Sequence, residues 1–151
     1  MFKVYSTYGL LIAIALIAYF LLLKLLGLHQ YPVLSAVNAL IFGAGIYLAL
    51  KKYGSTEDEI KYEKGFELGL FTGGIASIIF TVFMALYMYQ FDQEFATAIM
   101  GSWNMESDLG TAMLVLTILV MGLVTSLFIT FTFMQLFKRS WNTKDGNRNT
   151  L

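Results

Sequence analysis

Residues 65–91 read GFELGLFTGGIASIIFTVFMALYMYQF, and no charge interrupts them after Glu67. The charge-free run from Leu68 to Phe91 exceeds the length of about 20 apolar residues that crosses a bilayer's hydrocarbon core. Within and just before it, Gly65, Gly69, Gly73, Ser77, Thr81 and Ala85 recur at every fourth position. Four residues turn a helix by about 400°, so these small side chains form one slowly winding groove. Such grooves let helix backbones approach closely in lipid, where apolar burial no longer drives helices together. The stretch is therefore a membrane helix with a packing face.

Three further stretches share its character. Val4 to Leu23 is uncharged and ends at Lys24, Val33 to Leu50 lies between Pro32 and Lys51, and Leu109 to Phe137 closes the series. The predicted spans are about 4–23, 33–50, 66–90 and 110–137, within one transmembrane domain over 1–137 and a polar tail over 138–151. Composition agrees, with 58% hydrophobic and only 13% charged residues. A soluble domain carries about a quarter charged residues, and disorder needs low hydrophobicity. With no cysteine, a disulfide scaffold is excluded. Outer-membrane strands would alternate in polarity over ~10-residue segments, which none of these does. The fold class is an all-α integral membrane four-helix bundle.

The first span is expected to be retained. A cleavable signal has an apolar run of about 7–15 residues and a small-x-small site, and Lys24-Leu25-Leu26-Gly27-Leu28-His29 offers no such site. Four spans place Lys3, the connection holding Lys51, Lys52, Lys61 and Lys64, and the tail holding Lys138, Arg139, Lys144 and Arg148 on one side. Nine of the ten basic residues thus share that side, leaving Lys24 on the other. The third connection, Phe91 to Gly110, contains Asp92, Glu94, Glu106 and Asp108 and no Lys or Arg. The positive-inside rule then puts both termini and the middle connection in the cytoplasm. A net charge of zero gives no sign of nucleic-acid binding.

The first connection is short enough for an antiparallel hairpin, and Pro32 suits a first helical position. Gly54 is a candidate terminator of the second helix. Thr56 and Glu59 resemble a capping box that starts the third helix near Glu57, with Glu57 and Lys61 one turn apart. Phe91, Phe95, Ile99 and Trp103 repeat every four residues and predict a short helix lying on the membrane surface. Lys24, Trp103 and Trp141 are the expected interface anchors, and the tail beyond Trp141 is expected to be disordered.

The groove Gly65, Gly69, Gly73, Ser77, Thr81 has candidate partners in Ser35, Ala39 and Gly43 of the second helix and Gly122, Ser126 and Thr130 of the fourth. Packing inside the chain is the expectation, with a homodimer contact through the same groove as the alternative. Glu67 lies just inside the boundary, level with Lys51 and Lys138, and is read as one member of an interfacial ion pair; the alternative is a proton or cation ligand. Asn38, inside the second helix, is expected to hydrogen-bond a neighbouring helix.

Catalysis is not expected. One histidine, His29, and no cysteine leave no metal or haem ligand set and no cofactor, and nothing places that imidazole beside a serine. Carriers generally need broken helices or a charge at mid-membrane, and no span has a central charge.

The stretches Lys24-Leu25-Leu26-Gly27-Leu28-His29, Tyr62-Glu63-Lys64-Gly65-Phe66-Glu67-Leu68-Gly69 and Gly122-Leu123-Val124-Thr125-Ser126-Leu127, with Lys138-Arg139 after the last, carry a resemblance. They resemble a family of small four-helix bacterial membrane proteins, typical of Bacteroidetes, classed as a domain of unknown function. The resemblance implies a bacterial inner membrane and transfers no activity or functional residue. The expected role is a structural or interaction component with the bilayer and a homo-oligomer or membrane-protein partner around it. The alternative is a small transporter or channel formed by oligomerisation.

Overall fold

The computed structural model describes residues 1–28, 31–55, 62–102 and 108–137. Among these the chain is helical, without a strand, and four helices are long and apolar enough to cross a membrane. Helix α1 spans Phe2–Leu25, α2 Ala36–Gly54, α3 Tyr62–Leu86, α4 Gln93–Ser102 and α5 Asp108–Phe137. A 3₁₀ turn, Pro32–Ser35, leads into α2, and a π turn, Tyr87–Phe91, prolongs α3. At 1.5 Å per residue, even the shortest span, Val33–Gly54 with 22 residues including most of the 3₁₀ turn, can cross a ~30 Å apolar core.

Local chemistry sets each helix end. Gly27 adopts φ 70°, the left-handed conformation that terminates a helix. Its N–H donates to Lys24 O at 3.0 Å, and the Leu28 N–H donates to Leu23 O at 2.8 Å. Two carbonyls that the helix end would orphan are thereby satisfied. Pro32 occupies the first position of the 3₁₀ turn, where its missing N–H costs nothing. The Tyr19 hydroxyl donates to Leu34 O at 2.9 Å and ties α1 to that turn. Gly54 is the last residue of α2, but Ser55 follows in a right-handed conformation and its hydroxyl donates to Lys52 O at 2.7 Å.

The middle helix of the bundle is α3, which packs on α1, α2 and α5. Ring contacts fix the directions. Tyr5 stacks on Phe71 and Phe20 meets Phe83, so α1 and α3 run parallel; Asn38 shares a cleft with Thr117 and Met121 while Tyr47 meets Phe133, so α2 and α5 do as well. The aliphatic core is built from Ile12, Leu16, Ile46, Leu50 and Leu68, each at most 2% exposed. A second cluster, Met84, Tyr87, Met88, Phe95 and Leu114, closes the end where α4 lies.

The surface helix expected from the four-residue repeat corresponds to α4, but its inner face is not that repeat. Phe95 and Ala96 are buried and Ile99 packs against them, whereas Phe91 is 80% exposed. The π turn rotates Phe91 away from the stripe that a continuous helix would have given. Trp103 lies outside the described residues, as do His29, the Thr56–Glu59 capping box, the Glu57–Lys61 pair, and the tail with Lys138 and Trp141.

Gly27→Ala should cost roughly 1–2 kcal/mol, because a Cβ is disfavoured in the left-handed region. The expected result is a lower melting temperature in detergent, with Gly27→Asn affected less; an unchanged Gly27→Ala protein would contradict the role assigned to this turn.

Candidate functional site

The small residues of α3 meet those of α5 level by level. A Cβ placed on Gly69 would lie 2.5 Å from Thr130 Cγ2 and 2.6 Å from its Oγ1. One turn on, a Cβ on Gly73 would overlap Ser126 Oγ and Cβ. At the next level the roles exchange, and a Cβ on Gly122 would lie 2.7 Å from Ser77 Oγ. At each level one helix contributes a glycine and the other a hydroxyl residue. Gly65 and Thr81, at the ends of the stripe, are also buried.

The other candidate partner, α2, does not use Gly43. A Cβ on Gly43 would meet nothing within 4 Å, while Gly45 receives the side chain of Ile12 from α1. Gly9 of α1 lies against Thr72 and Ile75, so α3 has a second close contact on its opposite flank. A homodimer through the Gly69–Ser77 stripe would have to displace α5 from it.

The buried hydroxyls of the bundle are not equivalent. Thr72 donates to Leu68 O at 2.7 Å and Ser77 to Gly73 O at 2.8 Å, each bonding back one turn. Thr81 Oγ1, Ser126 Oγ, Thr130 Oγ1 and Asn38 Oδ1 are buried without a hydrogen-bond partner. Asn38 therefore makes no interhelical bond through its carbonyl oxygen. Glu67 pairs with Lys64 of its own helix, at 3.1 Å, and not with Lys51, which is exposed in the last turn of α2. Both members of the Glu67 pair are about half exposed, and such pairs contribute only about 0.2–1 kcal/mol.

A joint at the α4 end escaped the sequence reading. Asp92 follows the π turn, and its own N–H donates to Tyr87 O at 3.0 Å. Its Oδ1 accepts from the Phe95 N–H at 2.9 Å, which makes it the N-cap of α4. Its Oδ2 accepts from the Tyr87 hydroxyl at 2.7 Å and lies 3.4 Å from Lys24 Nζ. Lys24 also sits 4.4 Å from the centre of the Tyr87 ring. One carboxylate thus links α1, α3 and α4. Because the Lys24–Asp92 pair is partly exposed, the cap and the Tyr87 bond outweigh it. The available signal was an Asp three residues before Phe95, at the start of a helical repeat.

Substituting the seam tests its complementarity. Gly73→Ala should destabilise by about 1–3 kcal/mol through overpacking, and the double exchange Gly73→Ser with Ser126→Gly should recover most of that loss. Additive losses in detergent unfolding would refute the level-by-level pairing.

Asp92 also predicts a pH dependence. The Tyr87 hydroxyl chiefly holds its carboxyl below the usual range; burial opposes this, and the Phe95 N–H and Lys24 add to it. A depressed folded-state pKa stabilises fully above the unfolded value of about 3.9 and less as pH falls through the folded value. Asn also caps helices, so Asp92→Asn isolates the charge. The melting-temperature gap between wild type and Asp92→Asn should hold from about pH 5 to 8 and close below about pH 4. Asp92→Ala should lose about 1 kcal/mol more, for the cap.

Among the described residues, no three His, Cys, Asp or Glu side chains converge as a metal ion would require. No curated protein and no solved structure matches the chain. Residues 7–135, from the first turns of α1 almost to the end of α5, match the family described as a protein of unknown function, DUF4199, and the chain belongs to that family.

Proposed function

We propose that this protein is a non-catalytic, multi-pass component of a bacterial inner membrane that works by interaction, as a homo-oligomer or as a small subunit of a larger membrane complex. The observation that carries this reading is the chemistry of its interior. The buried polar side chains among the described residues are Thr72, Ser77, Thr81, Ser126 and Thr130, all hydroxyls and none charged. The ion pairs Lys24–Asp92 and Lys64–Glu67 sit at opposite ends of α3. An acid–base or nucleophilic reaction needs a titratable group beside the reacting atoms; among the described residues the middle of the bundle holds neutral hydroxyls and the Asn38 amide, and the buried Tyr87 phenol is committed to Asp92 at the α4 end.

The outer surface supports the interaction role. Only 11% of the most apolar stretch of α5 is buried within the bundle, and 22% of those of α1 and α2, against 44% for the third span. The faces of α1, α2 and α5 are therefore available to lipid or to another membrane protein. The distribution of Lys and Arg supports both termini and the 51–64 connection lying in the cytoplasm, with α4 on the opposite face.

Two experiments test this. The chain has no cysteine, so a single introduced one reports topology without background. An impermeant maleimide on intact cells should label Ala98→Cys and should reach Lys52→Cys only after permeabilisation; the reverse pattern overturns the orientation. Extraction from its native membrane in mild detergent should yield a stoichiometric partner or a defined oligomer. A monodisperse monomer under those conditions overturns the interaction role.

A further inference from the structure

The seam between α2 and α5 is incompletely filled. Towards the α4 end it holds a cleft of about 290 Å³, partly open, with walls that include Asn38 and Phe42 of α2, Phe80 of α3, and Thr117 and Met121 of α5. Further along the same two helices lies an apolar groove of about 320 Å³ lined by Leu40, Gly43, Ile129 and Phe133. Ala39 borders both, so cleft and groove adjoin.

Asn38 distinguishes the cleft from an ordinary lipid crevice. Among the described residues its Oδ1 is one of four buried oxygens without a partner, and the other three belong to Thr81, Ser126 and Thr130. Those three are hydroxyls, which carry their own proton and can turn to the carbonyl one turn back, as Thr72 and Ser77 do. An amide oxygen only accepts, and helical N–H groups beyond the first turn are committed to carbonyls. In this structure none of the hydroxyls that share the cleft, those of Ser35, Ser77, Thr117 and Thr125, reaches Asn38 Oδ1, which is left open to a donor that enters from the bilayer. Among the described residues no ionisable side chain lines either space, so an ionic headgroup entering there would lose water without gaining a counter-charge. The volume is that of a small ligand site and not of a single trapped water.

We propose that the α2–α5 seam binds a neutral, single-chain amphiphile from the bilayer. Its hydroxyl head donates to Asn38 Oδ1 in the cleft, and its hydrocarbon chain passes Ala39 into the groove beside Gly43 and Phe133. The head is uncharged because the lining is, and the chain is single because a volume of about 320 Å³ holds little more than one hydrocarbon chain. Glycine at position 43, where among the described residues a Cβ would meet nothing within 4 Å, leaves that groove open.

The test uses the purified full-length protein and a diazirine-bearing long-chain alcohol, with its methyl ether as the control that cannot donate a hydrogen bond. The alcohol should label α2 and α5 around Asn38 to Gly43 and Thr117 to Phe133, and unmodified dodecanol should compete. The ether, and the alcohol on Asn38→Leu, should label about five- to tenfold less, the loss expected for one hydrogen bond. Ala39→Phe, at a lipid-facing position, should block labelling while leaving the melting temperature of the unliganded protein nearly unchanged, which separates loss of the site from loss of the fold. Equal labelling by the ether, or labelling that survives Asn38→Leu, overturns the proposal and reduces the seam to a lipid crevice. Absence of competable labelling overturns it in favour of a cleft filled by water.

Discussion

The bundle depends on the contact between α3 and α5, where Gly69 faces Thr130, Gly73 faces Ser126 and Ser77 faces Gly122. In water, two helices associate because apolar faces leave solvent. In lipid that gain is absent, and association rests on dispersion between surfaces that fit closely. A glycine opposite a small hydroxyl residue at three successive levels is one solution. It brings the backbones near enough for many weak contacts and leaves no side chain large enough to prevent approach. With α5 seated, α3 becomes the helix around which α1 and α2 are arranged, and its opposite flank receives α1 at Gly9.

That contact explains the placement of the hydroxyls. Ser77 at the α5 seam and Thr72 on the α1 flank return their protons to carbonyls of their own helix, so both contacts contain polar atoms without requiring polar partners across them. A larger amide or a charge there would need a matched partner on α5, and a single slip in register would leave it unsatisfied at a cost of several kcal/mol. Charge is kept for the ends. At one end Asp92 turns the chain from α3 into α4 and holds Tyr87 and Lys24 around it, and at the other Lys64 and Glu67 share a turn of α3.

The amino-acid sequence made the helices and the stripe legible because both are one-dimensional periodicities. A charge-free run of membrane-crossing length and a small residue at every fourth position need no knowledge of the partner. Which helix would receive the stripe was not readable in this way. Ser35, Ala39 and Gly43 of α2 and Gly122, Ser126 and Thr130 of α5 have the same spacing, and only the three-dimensional arrangement separates them. Asp92 was hidden for a different reason. Its partners Lys24, Tyr87 and Phe95 come from three helices, and the π turn that brings Tyr87 alongside shifts the register that a uniform helix would predict. Glu67 was assigned to a neighbouring helix at the same depth, whereas a lysine one turn away on its own helix reaches it at less entropic cost.

The same comparison accounts for the unfilled seam. Two small-residue stripes competed for α3, and a helix surface can be in close contact over only part of its circumference. Once α5 occupies the Gly69–Ser77 face and α1 the Gly9 face, α2 meets α3 through larger side chains such as Ile46, which also reaches Gly73. The small residues Ala39 and Gly43 are then left without a backbone to approach, and they border open volume beside α5. An unused packing stripe in a soluble protein would fill with water. In a membrane it fills with whatever apolar chain diffuses past, and a buried amide oxygen at one end of it selects among those chains for one that carries a hydrogen-bond donor.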